Sequence, residues 1–128
     1  MKIVVREEGT ERARELWEAS ARRVSTGLVY VEGRAAIAQA QRIGRFGARG
    51  GRTIRARFEG LFEFLELVDA SQSVVRAAGA LAERHALRAY DAVHLASALA
   101  LADPDVVVAT WDQNLRAAAA AEGFTVAA

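Results

Sequence analysis

The sequence has 128 residues, which is enough for one domain with its own hydrophobic core, and we expect a single domain over 1–128. Apolar residues make up 52% and charged residues 26%, values typical of a globular protein and not of a disordered chain. The lack of cysteine excludes disulfides, thiolate metal sites and cysteine nucleophiles. No apolar run approaches the roughly 20 residues that span a bilayer, and the start is too short for a secretory signal, so we expect a cytoplasmic protein without membrane association.

Hydrophobic periodicity and turn residues divide the chain into alternating helices and strands. Composition predicts a strand at Ile3 to Val5, and Thr10 is the predicted N-cap of the helix that follows. Gly44 and Gly123 are predicted to end helices, and Ser71 or Ser73 to begin one. The helices are expected at about 10–22, 28–43, 53–64, 71 or 73 to 84, 89–102 and 115–121. A glycine-rich loop is expected near 45–52, and strands at 24–26, 65–68, 106–109 and 124–126.

This alternation predicts an α/β fold with a mostly parallel sheet. Residues 106–109 form a continuous apolar run, which is typical of a strand buried on both faces. Because open parallel sheets carry their sites at the carboxyl ends of the strands, residues at and just after Thr26, Val68 and Thr110 are the places to look for function.

Two acids lie at the ends of predicted elements. Asp112 follows the 106–109 strand, where it could cap the next helix, contribute to a site, or do both. Thr110 could direct its hydroxyl the same way, although an ordinary strand residue is the simpler interpretation. Asp91 borders an apolar helix face, and the alternative to a site is an acid placed in the first turn because the helix dipole favours it there.

Glu32 is the third candidate because it lies in an otherwise apolar run, where it must face solvent or be neutralised. Carboxylates crowded into one site repel one another unless a cation compensates them. Carboxylate oxygens with retained waters suit Mg²⁺ or Mn²⁺. Together, Glu32, Asp91 and Asp112 therefore predict a divalent metal site.

Other motifs are weaker or missing. His94 is expected to pack or hydrogen-bond, and His85 to lie on the surface, since the two histidines lack a zinc-binding spacing. The serine-hydrolase, dinucleotide-binding and P-loop motifs are absent. Between Glu32 and Glu59 there is no acid, and an arginine-rich stretch there is either a solvated face or a positive field for phosphates or an acidic partner. Its members are Arg42, Arg45, Arg49, Arg52, Arg55 and Arg57.

At these residues the chain resembles the PIN-domain ribonucleases, in particular the VapC-like toxins of bacterial toxin–antitoxin pairs. The matching segments are REEGTERARELW, the VST-x₅-E segment that ends at Glu32, LRAYDAVHLASAL around Asp91, and VVVATWDQNL around Asp112. The last two are the most specific. The resemblance covers essentially the whole chain and is weakest over about 44–70.

The resemblance implies a PIN-like three-layer α/β/α fold with a short, mostly parallel central sheet, and the activity of an endoribonuclease that depends on Mg²⁺ or Mn²⁺. Glu32, Asp91 and Asp112 would form its acidic metal site, with Thr110 as a supporting hydroxyl. A small antitoxin partner, an RNA substrate and a homodimer are also implied by the family. The expected alternative is a catalytically inactive PIN-like module that binds a protein or RNA.

The chain departs from the family pattern at its start. Family members open with an apolar strand that ends in aspartate, followed by a Ser/Thr-Ala-Leu-Val-Lys run, and Met1-Lys2-Ile3 matches only the end of that run. Ile3 to Val5 would then be the tail of the first helix. One hypothesis is that the gene begins upstream of a GTG codon read as a start, since the arginine- and alanine-rich composition fits GC-rich coding. The other is a truncated protein with a weakened metal site, poor Mg²⁺ binding and little RNA cleavage.

Overall fold

A computed structural model describes residues 7–127, so the predicted strand or helix tail at 3–5 lies outside the described residues. Short strands alternate with helices through the described chain, which confirms the predicted α/β class. The elements are Thr10–Ala19 (α1), Val24–Thr26 (β1), Leu28–Arg42 (α2), Ala48–Phe62 (α3), Glu66–Val68 (β2), Gln72–His85 (α4), Ala89–Ala100 (α5), Val107–Ala109 (β3), Gln113–Ala121 (α6) and Thr125–Ala127 (β4).

The four described strands form two pairs, β1 with β2 and β3 with β4. The second pair is parallel, with Val107 opposite Thr125 and Ala109 opposite Ala127. The prediction that β3 is buried on both faces was wrong, because Val107 is 51% exposed. Ala109 is exposed as well, and only Val108 between them is half-buried, so the side chains of this strand are covered on one face at most.

The described residues divide into two compact units, and the prediction of one domain over 1–128 stays a prediction. The first unit contains 7–24 and 28–66. Its core lies where α2 meets α3, around the buried side chains Ile37 and Phe58. Gly33 of α2 is buried under the Phe58 ring, and a Cβ at this position would overlap the ring carbons, so the close approach of the two helices requires glycine here.

Helix α3 begins earlier than the sequence predicted. The stretch 45–52 was expected to be a loop, but the helix begins at Ala48 and includes Gly50 and Gly51. Gly51 is buried against the Gln41 side chain of α2, which also accepts a hydrogen bond from Arg55 at 3.3 Å. This packing outweighs the helix penalty of glycine, which is about 1 kcal/mol per residue.

The start of α1 also differs from the prediction. Thr10 is not the N-cap but the first helical residue, and the cap position is held by Gly9 with φ 84°. The Thr10 hydroxyl instead accepts a hydrogen bond from the Glu7 amide at 2.8 Å and donates one to the Glu7 carbonyl at 2.7 Å. The helix ends at Ala19, three residues before the predicted end.

The second unit contains 25–27 and 67–127, and its core is built by three helices. Helix α4 begins where predicted, since the Ser71 hydroxyl accepts a hydrogen bond from the Val74 amide at 3.3 Å. Burying one leucine side chain contributes about 1.5–3 kcal/mol, so the leucines of this core hold α4, α5 and α6 together. The buried members of the core are Val74, Ala78, Leu81, Leu87, Ala92, Leu95, Ala96, Leu115, Ala118 and Ala119.

Both glycines that were predicted to end helices do so. Gly44 and Gly123 adopt left-handed conformations with φ 78° and 92°. After Gly123, the Phe124 amide donates to the carbonyl of Ala119 at 3.0 Å, which satisfies a terminal carbonyl of α6 and leads the chain into β4. Among residues 7–127, no helix combines the length and the apolar character needed to cross a membrane.

Candidate functional site

Asp112 lies between β3 and α6 and is held in place by the start of the helix. Its side chain is the N-cap of α6, with Oδ1 accepting a hydrogen bond from the Leu115 amide at 2.9 Å. The second carboxylate oxygen, Oδ2, lies 3.5 Å from Nη2 of Arg88. Asp112 therefore caps α6, as one interpretation of the sequence predicted. Its side chain is 37% exposed, and Oδ2, which the cap does not use, is open to another interaction.

Thr110 fixes the turn that presents Asp112. Its hydroxyl accepts a hydrogen bond from the Asp112 amide at 3.1 Å, and its own amide donates to the Ala127 carbonyl of β4 at 3.2 Å. The chain after β3 is thus tied both to the neighbouring strand and to the acid. Thr110 acts on the backbone that carries Asp112.

Asp91 is in the first turn of α5 and its side chain is only 12% exposed. Its Oδ2 accepts a hydrogen bond from Nε of Arg88 at 3.0 Å. A largely buried carboxylate is costly unless it is compensated, and here the helix N-terminus and a guanidinium both favour its negative charge. Neighbouring residues Ala92 and Leu95 are buried in the core, so the backbone that carries this acid is fixed.

Arg88 brings the two acids together. It is the N-cap residue of α5, and its guanidinium contacts Asp91 through Nε and Asp112 through Nη2. No functional role was predicted for this residue from the sequence. A signal was available, because an arginine three residues before a helical acid can reach it, but nothing in the spacing could reveal that it also reaches an acid 24 residues away.

Glu32 belongs to the first unit, where it is exposed to solvent on α2. Within residues 7–127, no group of three or more histidine, aspartate or glutamate side chains is arranged to hold a metal ion. Of the three predicted acids, Asp91 and Asp112 lie close together, because both contact the Arg88 guanidinium. Two carboxylates within the span of one guanidinium fit Mg²⁺ or Mn²⁺, since such ions bind through one or two carboxylates and keep several waters.

The predicted arginine-rich stretch lies along the end of α2 and the first turns of α3. Five of its six arginines are exposed, namely Arg42, Arg45, Arg49, Arg52 and, further along α3, Arg57. Arg55 is half-buried beside Gln41. Arg42 also donates to the side-chain oxygen of Gln39 at 2.9 and 3.2 Å. Five exposed guanidinium groups on α2, α3 and the segment between them produce a positive surface that is suited to phosphates or to an acidic partner.

A cleft in the first unit was not predicted, although Arg57 of the arginine-rich stretch contributes to it. The Arg23 guanidinium lies 4.9 Å from the centre of the Trp17 ring, and its Nε donates to the Trp17 carbonyl at 2.7 Å. The two side chains line this open cleft, and the sequence signal, an arginine after the end of α1, is too common to identify it. The other lining residues are Arg14, Glu18, Arg57 and Leu61.

The predictions for the two histidines had different outcomes. His94 packs edge-on against Tyr90 with ring centres 4.5 Å apart, as predicted. The prediction that His85 is a surface residue was wrong, because its side chain is 16% exposed and its Nε2 lies 2.6 Å from Oε1 of Glu122. Hydrogen bonds from His85 and, second, from Arg84 lower the pKa of Glu122, since both favour the charged carboxylate.

Comparison with known proteins matches nearly the whole chain to one family model and to two ribonucleases. Residues 1–121 match the family model described as PIN domain. Ribonuclease VapC45 of Mycobacterium tuberculosis (strain CDC 1551 / Oshkosh) is 39% identical over 127 residues, which cover 99% of this chain and 88% of that protein. Ribonuclease VapC49 of M. tuberculosis (strain ATCC 25618 / H37Rv) shows the same identity and coverage.

Proposed function

Because the chain belongs to the PIN-domain family, we propose that it is an endoribonuclease that depends on Mg²⁺ or Mn²⁺ and acts as the toxin of a toxin–antitoxin pair. The observation that carries this proposal is the pairing of Asp91 and Asp112 around one cationic group. It is supported by the name ribonuclease that both relatives carry.

Asp91 and Asp112 would hold the ion, with Glu32 as the third carboxylate that the family resemblance implies. When bound, such an ion lowers the pKa of a water so that it can attack an RNA phosphodiester, and it neutralises charge on the phosphate. The chain's own part is to keep the two acids fixed in position. Asp91 is held in the first turn of α5, and Thr110 holds the turn that aims Asp112.

The RNA substrate would be bound through its phosphates. The exposed members of the arginine-rich stretch lie on α2, α3 and the segment between them, and each guanidinium that neutralises a phosphate makes binding weaker as salt rises. The proposed contacts for RNA or for an acidic partner are therefore the exposed Arg42, Arg45, Arg49 and Arg52. The half-buried Arg55 is proposed with them because it belongs to the same arginine-rich stretch. A small antitoxin, a homodimer and action in the cytoplasm are part of the same proposal, and they rest on the family resemblance.

A second candidate is a catalytically inactive module that binds a protein or RNA partner. It is favoured by Arg88, which already compensates both acids, and by the exposure of Glu32 to solvent. In such a module the acids would serve the fold through the Arg88 ion pairs and the α6 cap. Removing one negative charge distinguishes the two candidates.

The experiment is inducible expression of the protein and of Asp91→Asn in a bacterial host. Asp105→Asn is the matched control, because it makes the same chemical change at an exposed acid in the turn before β3. We expect the unchanged protein and the control to stop growth and to fragment cellular RNA, and Asp91→Asn to do neither while circular dichroism shows the same fold. Growth inhibition that survives Asp91→Asn would contradict the enzyme and support the binding module.

A further inference from the structure

The Arg88 guanidinium contacts one carboxylate oxygen of each acid in the candidate site, through Nε for Asp91 and through Nη2 for Asp112. Its guanidinium lies 3.0 Å from Oδ2 of Asp91 and 3.5 Å from Oδ2 of Asp112. The remaining oxygen of Asp112, Oδ1, is committed to the Leu115 amide as the cap of α6. Oδ2 is the Asp112 oxygen that the cap does not use, so a second cation that binds there meets the Arg88 guanidinium.

We infer that Arg88 is a built-in counter-ion of this acidic pair and that it competes with the divalent cation for the two carboxylates. The inference rests on the proposed function, since the divalent cation comes from it. A guanidinium and a dication that share the same carboxylate oxygens repel each other, because both are positive and separated by a few ångströms. Occupation by one therefore lowers the affinity for the other.

The Arg88 side chain is more mobile than the two acids, and this difference allows a divalent cation to replace the guanidinium. The Arg88 side chain is 79% exposed, and ion pairs of such groups contribute little, so it can swing into solvent at small cost. The acids cannot follow it, because Asp91 is mostly buried in α5 and Asp112 is hydrogen-bonded to the first turn of α6. Without metal, the arginine relieves the repulsion between two fixed carboxylates. With metal, it is displaced.

Manganese binding to the full chain tests this inference without any measurement of activity. Isothermal titration with MnCl₂ at constant ionic strength compares the unchanged protein with Arg88→Gln. The control is Arg84→Gln, which removes an arginine of the same unit that pairs with Glu122 and not with the acidic pair. We expect Arg88→Gln to bind Mn²⁺ about two- to fivefold more tightly, the factor that corresponds to one exposed ion pair, and Arg84→Gln to bind as the unchanged protein does.

Arg88→Lys provides a second variant, because it keeps the charge but lacks the forked guanidinium that reaches two carboxylates at once. We expect its affinity to lie between those of the unchanged protein and Arg88→Gln. Equal or weaker Mn²⁺ binding by Arg88→Gln, or the absence of binding to both proteins, would overturn the inference. Tighter Mn²⁺ binding by Arg88→Gln in a protein that does not cleave RNA would uphold the role of Arg88 and contradict the proposed ribonuclease activity. RNA cleavage with the same Mn²⁺ affinity in both proteins would uphold the ribonuclease activity and contradict the role of Arg88.

Discussion

Two substitutions of Asp112 separate its role as a cap from its role as an acid. Asparagine caps a helix about as well as aspartate, so Asp112→Asn keeps the hydrogen bond to the Leu115 amide while it removes the charge. Alanine removes both, and loss of such a cap costs about 1 kcal/mol. The pair with Arg88 adds little in either case, because a 3.5 Å contact between exposed groups contributes about 0–1 kcal/mol.

We therefore expect Asp112→Asn to remain within about 0.5 kcal/mol of the unchanged protein, and Asp112→Ala to be about 1 kcal/mol less stable. Urea unfolding followed by circular dichroism measures this difference, which corresponds to about 0.3–1 M in the midpoint. Both variants should lose Mn²⁺ binding. If Asp112→Asn destabilises as much as Asp112→Ala, the cap assignment fails. If it binds Mn²⁺ normally, Asp112 is a cap and not a metal ligand.

Three further predictions concern helix packing, acid stability and RNA contact. Gly33→Ala should destabilise the protein by up to about 2 kcal/mol in thermal unfolding, because overlap of the new methyl group with the Phe58 ring costs more than alanine's better helix propensity contributes. Gly60→Ala is the control, because Gly60 of α3 faces open space, and it should stabilise the protein by about 0.5–1 kcal/mol in the same assay. Because the pKa of Glu122 in the folded protein lies below its ordinary value of 4.5, the ionised carboxylate stabilises the fold above pH 4.5, and this stabilisation is lost as the pH falls through the folded pKa. Glu122→Gln should therefore reduce the loss of stability at acid pH in a curve of unfolding free energy against pH. An unchanged loss of stability at acid pH would contradict the ion pair. Arg52→Gln should weaken RNA binding and reduce the slope of log affinity against log salt by about 1, while an unchanged slope would remove this residue from the contact surface.

Local chemistry predicted much of the fold. Residues that act within one turn, such as Ser71 before α4 and Gly44 after α2, were identified from their own hydrogen-bonding and backbone preferences. The specific segments around Asp91 and Asp112 predicted the PIN family, and that prediction is confirmed together with its α/β fold. These features depend on a few neighbouring residues, so a single sequence contains them.

Two of the wrong predictions, those for Gly51 and His85, depend on contacts between residues that are distant in sequence. Gly51 was assigned to a loop because glycine is a weak helix former, and its close packing against Gln41 could not be seen from the sequence. His85 was placed on the surface because nothing nearby in the sequence predicts Glu122 as its partner.

In the candidate site too, some residues could be predicted from the sequence and others could not. Asp91 and Asp112 were predicted from their positions at the ends of elements, whereas the guanidinium that joins them was not. Glu32 stays a prediction from the resemblance, and its exposure on α2 is what the structure adds to it.

The most direct test of the proposed ribonuclease is cleavage of a labelled RNA by the purified 128-residue protein in Mn²⁺, with Asp91→Asn purified in parallel. Cleavage should stop when EDTA removes the ion and should fall at least about 100-fold in Asp91→Asn, because the acid acts through the bound metal. Equal cleavage by both proteins, or cleavage that persists in EDTA, would contradict a metal-dependent site at Asp91 and Asp112.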